Sequence, residues 1–462
     1  MFDPCRCPQA PYSARLRATA ETAFGRRAFL VGAAASFAAL FLPRGARAAS
    51  LPSPEAVTVL RAARLFDGLT MRSPGVIVLR GDRIVSFSAG DAGIDATTID
   101  LGDATLMPGL IDAHTHVAAS VVPSAYLTVI GPKNESATSI AEAALLSVAN
   151  AQGMLANGFT TIRDVGGGAG IDLAMRDAIA RGAIAGPRML ASGTLLSITG
   201  GHADNNDYAP WVHVETDEAP ATSFGPYGFR EQVRAHVKRH VDLIKIVATG
   251  GVLSYGDTFD VPQFNLDEIQ AVVDEAGKFG RKVSAHAHGD PGIAQAVRGG
   301  CHSIEHGSGV GATTLHEMQQ RGTYLVPTIW ALDSILQPGN PNNISSNGLE
   351  KANFAARVRD EGMKRAVATS VKFAYGTDAG VFPHAQNNRD FGLLRTMGLS
   401  PLDLLRSATS SAADLLGTRD RGHLAPKMLA DVVAFAGDPS RDIALLERKP
   451  VLVMLGGKRI AG

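Results

Sequence analysis

The sequence predicts an α/β protein, a (β/α)8 barrel with a small β-sandwich built from both chain ends. Three observations carry this. Eight short apolar or β-branched runs alternate with helix-length segments through the middle of the chain. Histidines, a lysine and an aspartate sit at or just beyond the ends of several of these runs, as a parallel barrel would deliver them to one rim. Short β-rich runs with Gly and Asp turns occupy both flanks.

Residues 1–48 read as an export signal. Gly25-Arg26-Arg27-Ala28-Phe29-Leu30 opens an uncharged stretch from Ala28 to Leu42, and Ala46-Arg47-Ala48 offers a small-x-small cleavage site. The stretch is shorter than the roughly 18 apolar residues needed to span a bilayer, so no stable membrane anchor is expected. A twin-arginine route to the periplasm or the exterior follows, one that carries proteins already folded.

Residues 49–106 form the first part of the sandwich, with VTVLRAARLFDG and GVIVLRGDRIVSFSAG as its strand-and-turn signatures. Residues 107–420 form the barrel. Its strands are expected at Leu110–His116, Thr160–Val165, Arg188–Ser192, Leu243–Thr249, Lys282–His286, Ser303–His306, Tyr324–Thr328 and Phe373–Thr377, with helices such as Ala137–Asn157 and Leu266–Phe279 between them. Between Gly193 and about Phe229 no helical period is evident. Tyr208, Trp211, Phe224, Tyr227 and Phe229 are interleaved there with turn residues, and a loop this long points to a functional excursion or to a dimer contact. Residues 421–462 return to the β style in ADVVAFAGD and VLVMLGGKRIAG and complete the sandwich.

With 462 residues, 45% of them hydrophobic and 19% charged, the chain can bury a large core. Residues 1–48 hold seven arginines and two acidic residues of the 44 basic and 44 acidic in the whole, which leaves 37 basic, 42 acidic and a net charge of −5. That balance gives no footprint for nucleic acid. Cys5 and Cys7 fall in the same segment, so Cys301 stands alone beyond it and no disulfide can form there.

The candidate site is a binuclear metal centre made from six residues: His114 and His116 in MPGLIDAHTHV, Lys245 in LIKIVATGG, His286 in VSAHAHG, His306 in SIEHG and Asp378 in YGTDAG. Residues two apart in a strand point the same way, so His114 and His116 can face one ion. Lys245 lies among Leu243, Ile244, Ile246 and Val247, where burial would lower its pKa and free a neutral amine able to take up carbon dioxide as a carbamate.

Those residues resemble the metal-dependent amidohydrolase superfamily, over essentially the whole chain beyond the N-terminal segment. TTIRDVGGG, ITGGH and SIEHG make it similar to the prolidase and ochratoxinase-like branch. The resemblance implies a TIM-like barrel with two divalent ions, zinc being expected, bridged by a carbamate on Lys245. It implies that His114 and His116 hold the more buried ion, that His286 and His306 serve the second, and that Asp378 both touches metal and moves the proton. His288 is then a substrate-pocket residue, at a position where some relatives carry tyrosine. His202 is expected to stabilise the oxyanion, helped by adjacent glycines, whereas Asp164 reads as structural. The mechanism implied has a hydroxide between the ions, hydrogen-bonded to Asp378, attack a polarised carbonyl, after which Asp378 protonates the leaving amine.

By formal count two divalent ions bring four positive charges, and carbamate, Asp378 and hydroxide remove about three. A small-molecule substrate with a carboxylate near the scissile bond is therefore expected. The favoured activity is cleavage of an amide to a C-terminal amino acid, as by a dipeptidase, a carboxypeptidase-like prolidase or an N-acyl amino acid amidase such as an ochratoxin amidase. A lactonase or a carbamate or urea-type hydrolase would use the same centre. A mononuclear deaminase or imidazolonepropionase would carry Glu three residues after His286, where this chain has Gly289. A periplasmic binding protein without turnover would need no complete ligand set. A homo-oligomer of unspecified size is expected.

The export reading is checked by replacing Arg26 and Arg27 with Lys, which should hold the protein in the cytoplasm. Intact mass of exported wild-type material should begin at or near Ala49, and retention of Met1 in that material would refute the signal.

Overall fold

The computed structural model describes residues 56–93, 95–118, 140–204, 222–254, 257–339 and 344–461. The export segment, together with Tyr208 and Trp211 of the long loop, lies outside the described residues. Among those described, no helix is long and apolar enough to cross a membrane.

Seven strands come first: β1 (Val57–Ala62), β2 (Arg64–Phe66), β3 (Met71–Arg72), β4 (Gly75–Arg80), β5 (Arg83–Ser86), β6 (Thr97–Asp100) and β7 (Ala104–Pro108). They build two sheets. One is ordered β5-β4-β1-β6. The other incorporates the tail strands β18 (Val432–Ala436), β19 (Leu452–Leu455) and β20 (Lys458–Ala461) in the order β20-β19-β18-β7-β2-β3. The two ends of the chain thus meet edge to edge, Met107 opposite Val433. Leu60, Ile77 and Leu79 of the first sheet share an apolar cluster with Leu106, Val432 and Leu452 of the second.

Between these flanks the chain alternates strand and helix. The parallel strands are β8 (Leu110–Thr115), β9 (Phe159–Asp164), β10 (Arg188–Ala191), β13 (Leu243–Val247), β14 (Lys282–Ala287), β15 (Ser303–His306), β16 (Tyr324–Val326) and β17 (Lys372–Phe373). A small parallel pair, β11 (Ser197–Ile198) and β12 (Thr222–Ser223), interrupts them. The helices are α1 (Ile140–Ala156), α2 (Ile171–Ala180), α3 (Gly225–Lys238), α4 (Leu266–Lys278), α5 (Asp290–Gly299), α6 (Ala312–Arg321), α7 (Ile329–Ile335), α8 (Ser346–Val367), α9 (Asp390–Thr396), α10 (Pro401–Ser407) and α11 (Ser410–Leu416).

The parallel strands form sheets ordered β10-β9-β8 and β13-β14-β15-β16-β17. Isolated parallel bridges connect the two, Leu196 with Ile246 on one side and Thr115 with Ala379 on the other. Their side chains are buried almost throughout, as expected of strands covered on both faces.

The structure differs from the sequence-based expectation at three places, each with a physical cause. The seventh strand stops at Val326 because Pro327 lacks a donor and Thr328 turns into a left-handed conformation at φ 46°. The eighth is regular only over Lys372–Phe373. Beyond it the pairing continues as separate bonds, Ala113 N–H to Tyr375 C=O and Thr377 N–H to His114 C=O, until Asp378 turns at φ 63°. The third loop also holds a helix, since α3 begins at Gly225, takes Pro226 in its first turn and buries Phe229 while Phe224 and Tyr227 remain exposed.

Candidate metal centre

The chemistry-bearing residues gather at the C-terminal ends of the parallel strands. His114 lies at the end of β8, and His116 follows it directly. Both present Nε2 to Asp378 Oδ1, at 3.4 and 3.2 Å. Their other ring nitrogens are occupied: His114 Nδ1 meets Glu305 Oε2 at 2.7 Å, and His116 Nδ1 lies 2.9 Å from the Gly166 carbonyl oxygen. Holding Nδ1 in this way sets ring orientation and leaves Nε2 for a ligand.

On the facing side, His286, His288 and His306 form a second group. His286 Nε2 lies 3.3 Å from the Gly250 carbonyl oxygen, His288 Nδ1 2.9 Å from Ser308 Oγ and His306 Nδ1 2.7 Å from Thr328 Oγ1. In each group of three, one ligand atom per residue falls within 4.8 Å of the others. The His114 and His306 rings are 5.0 Å apart, so the two groups adjoin. His288, expected to serve substrate, lies 4.8 Å from His306 between ring centroids, against 4.6 Å from His286 to each of the two.

Electrostatics suit cations. Burial pulls His286 and His306 well below the ordinary histidine range, reinforced by the neighbouring His288, and it draws His288 down to about 3. These rings are neutral, which is the ligating form. Burial alone would raise Asp378, yet His114 and His116 hold it well below the carboxylate range, so it is ionised. Lys245 is 2% exposed on β13, and burial lowers its amine to about 8 against the opposing pull of Glu305 and Asp378. Neutral imidazoles, an ionised carboxylate and a partly deprotonated lysine around one cavity are a donor set that divalent metals accept.

Asp378 and His306 share an unusual backbone, both non-glycine residues with φ above 60°. Such conformations cost on the order of 1–3 kcal/mol each and cluster at functional sites.

His202 sits in the loop after β11, its ring stacked on His286 with centroids 4.6 Å apart. Its N–H donates to Gln263 Oε1 at 3.0 Å, and its Nδ1 lies 3.9 Å from Asp257 Oδ2. Burial lowers it to about 4. The glycine it requires is distant in sequence: a Cβ on Gly251 would meet the imidazole at 2.1 Å. Asp164 accepts from the Val117 and Gly166 N–H groups and so ties the first two strand ends together.

Sequence reasoning passed over the residues beneath the rim. Glu305, fully buried, takes Arg163 Nη2 at 2.8 Å, Ser303 Oγ at 2.5 Å and the His114 ring. Burial would raise its carboxyl, but Arg163 and His114 hold it at about 2. Asp112 braces the opposite side through the His114 N–H, Thr377 Oγ1 and Asn387 Nδ2, and burial lifts it to about 7. The available signal was an arginine and a glutamate inside strands with no solvent face, which must find each other.

The cavity over the rim measures about 320 Å³ and is lined by His114, His202, Lys245, His288, His306 and Asp378 among others. Among its described lining residues Lys245 is the only lysine or arginine.

Residues 105–460 match the family described as the Amidohydrolase family. The chain is 29% identical to ochratoxinase of Aspergillus niger over 433 residues, which cover 88% of this chain and 87% of that protein. Its fold is similar to that of a Xaa-Pro dipeptidase crystallised with methionine in the active site, at a TM-score of 0.79 and 33% identity, covering 88% of this chain and 100% of that one. The crystal structure of A. niger ochratoxinase matches at a TM-score of 0.78 and 26% identity over 89% of this chain and 97% of that one. With these likenesses comes a TIM-like barrel fold.

The role of the buried acid is testable. Glu305→Gln removes the charge that orients His114 and pairs Arg163, so metal affinity should fall on the order of 10–100-fold with the fold retained. Metal titration by calorimetry beside a circular dichroism spectrum reads this, and wild-type affinity in a folded Glu305→Gln protein would show that His114 needs no carboxylate.

Proposed function

The chain belongs to the amidohydrolase family, in the branch with prolidase and ochratoxinase, and from that premise we propose that it hydrolyses an amide bond to a C-terminal amino acid at a binuclear metal centre. Two adjoining groups of ligand atoms on one rim, with Lys245 in the same cavity, are the observation that carries this reading. His114, His116 and Asp378 would hold one divalent ion, His286 and His306 the other, with a carbamate on Lys245 between them and zinc as the metal. Such ions supply a water acidified towards neutrality and a Lewis acid for the carbonyl.

The chain's own groups would do the rest. Asp378, ionised and bonded to the first histidine pair, takes a proton at Oδ1 or Oδ2 and returns it to the departing amine. His202, neutral and stacked on His286, faces the position of the carbonyl oxygen. His288, neutral and held by Ser308, is a substrate contact. A carboxylate on the substrate would answer to the residual positive charge of the ions, since the described wall offers no arginine. In this reading the strands close into a complete barrel and the two flanking sheets pack as a sandwich, which the shared apolar cluster supports. The protein would leave the cytoplasm by the twin-arginine route and assemble as a homo-oligomer.

The reading is tested by assaying one metal-loaded preparation on Xaa-amino-acid dipeptides, N-acyl amino acids, lactones and phenylureas. Amide turnover that disappears with chelation and returns with Zn²⁺ is expected. Turnover confined to lactones or ureas would overturn the substrate assignment.

Two sets of variants separate the residue roles. His286→Ala should lose bound metal, whereas His288→Ala should keep metal near the wild-type level and raise KM. Equal metal loss in both would make His288 a ligand, as its closeness to His306 allows. Lys245→Ala should cut turnover by orders of magnitude, and acetate or propionate with excess Zn²⁺ should restore part of it by filling the vacated space. Lys245→Arg should resist rescue, because the guanidinium keeps its charge and occupies that space. Intact mass and crystallographic density read the modification itself, and an unmodified ammonium in active, metal-loaded protein would refute the carbamate.

A further inference from the structure

The cavity over the rim has two unlike walls. Besides the histidines it is lined by Val252, Pro327, Ala331, Leu332, Ile335 and Val381, all without a charged or hydrogen-bonding side-chain atom. Most of this apolar wall comes from α7 and from the turn after β13. It is backed by an apolar cluster in which Leu332, Ile335 and Val252 pack on Phe259, Ile344 and Ala352.

That wall is built to stay in place. Asp390 Oδ1 accepts the Ile329 and Trp330 N–H groups at 2.6 and 3.1 Å and fixes the start of α7. Lys351 on α8 donates to Asp257 Oδ1 at 2.6 Å and to the Gly251 and Ser254 carbonyl oxygens at 3.1 and 2.9 Å, which holds the turn carrying Val252. A rigid apolar surface facing the reacting groups gains affinity from any apolar group laid on it. It penalises a charged group there, which would be buried without a partner.

We propose that Val252, Leu332 and Ile335 are the specificity-determining residues of this site. They select substrates with a bulky apolar group, aromatic or branched aliphatic, beside the scissile amide: N-acyl derivatives or dipeptides of hydrophobic amino acids. This rests on the reading of the cavity as an amidase site and deepens it by naming the side-chain class. The pocket discriminates by area. A phenylethyl group in place of a methyl group buries enough surface to favour binding on the order of 30-fold.

The probes are 3-phenylpropionohydroxamate and acetohydroxamate, which share a metal-binding head and differ only in the apolar tail. Calorimetry on the metal-loaded protein should show the phenyl compound binding on the order of 30-fold tighter. Leu332→Asp should abolish most of that ratio. Leu332→Ala, a milder change, should reduce the ratio several-fold and guards against a misfolded aspartate variant. Saturation-transfer NMR on the metal-free protein supplies a readout that needs no ion: phenyl protons should receive transfer in the wild type and lose it in Leu332→Ala. Equal affinity of the two hydroxamates, or a ratio unchanged in both variants, would overturn the proposal. Phenyl transfer in metal-free protein together with no hydroxamate binding to the metal-treated protein would instead keep the apolar pocket and overturn the metal-centre reading.

Discussion

A chain of buried charge, Arg163 to Glu305 to His114, underlies everything the rim does. It joins β9, β15 and β8, strands from the two different parallel sheets, through contacts of 2.8 and 2.7 Å. Arg163 also donates to the Ala113 carbonyl oxygen and to Ser303 Oγ, so one guanidinium serves three strands. Removing a member of such a buried set costs roughly 3–5 kcal/mol, because its partner is left charged and dry. The same buried acid that pairs Arg163 in the interior also orients His114. Stability and site geometry are one constraint here.

Above that layer the backbone turns sharply. His306, Thr328 and Asp378 all adopt left-handed conformations where their strands end, and Thr328 Oγ1 meets His306 Nδ1. The strain is tolerated because the packing beneath fixes both sides of each turn. Its effect is to bring His306 and Asp378 over the barrel end, where side chains that continued a regular strand would alternate away from each other.

The burial that depresses the histidines also explains the two-faced cavity. A dry rim keeps the His202, His286, His288 and His306 imidazoles neutral and lowers Lys245 to about 8, which favours cations, while the same exclusion of water makes the apolar wall of α7 effective for binding. Exposed rings would be partly protonated near pH 6, and an exposed apolar wall would exert less selection.

Much of this was legible in the chain itself. Strand positions, the alternation of strand and helix and the β style of both flanks follow from local pattern, because period and residue chemistry are properties of short segments. Helix α3 escaped that reading since its glycine and proline start resembles a loop; Pro327 did mark the end of the seventh strand locally, whereas the left-handed turns at Thr328 and Asp378 leave no local mark. Arg163, Glu305 and Asp112 were visible as residues yet silent as to partners. Gly251 beside His202, and Leu332 and Ile335 lining the cavity of the histidines, were equally silent. Only tertiary structure decided those pairings, for a sequence specifies which groups must be satisfied, whereas which groups satisfy them depends on residues up to 275 positions apart being brought within hydrogen-bonding distance.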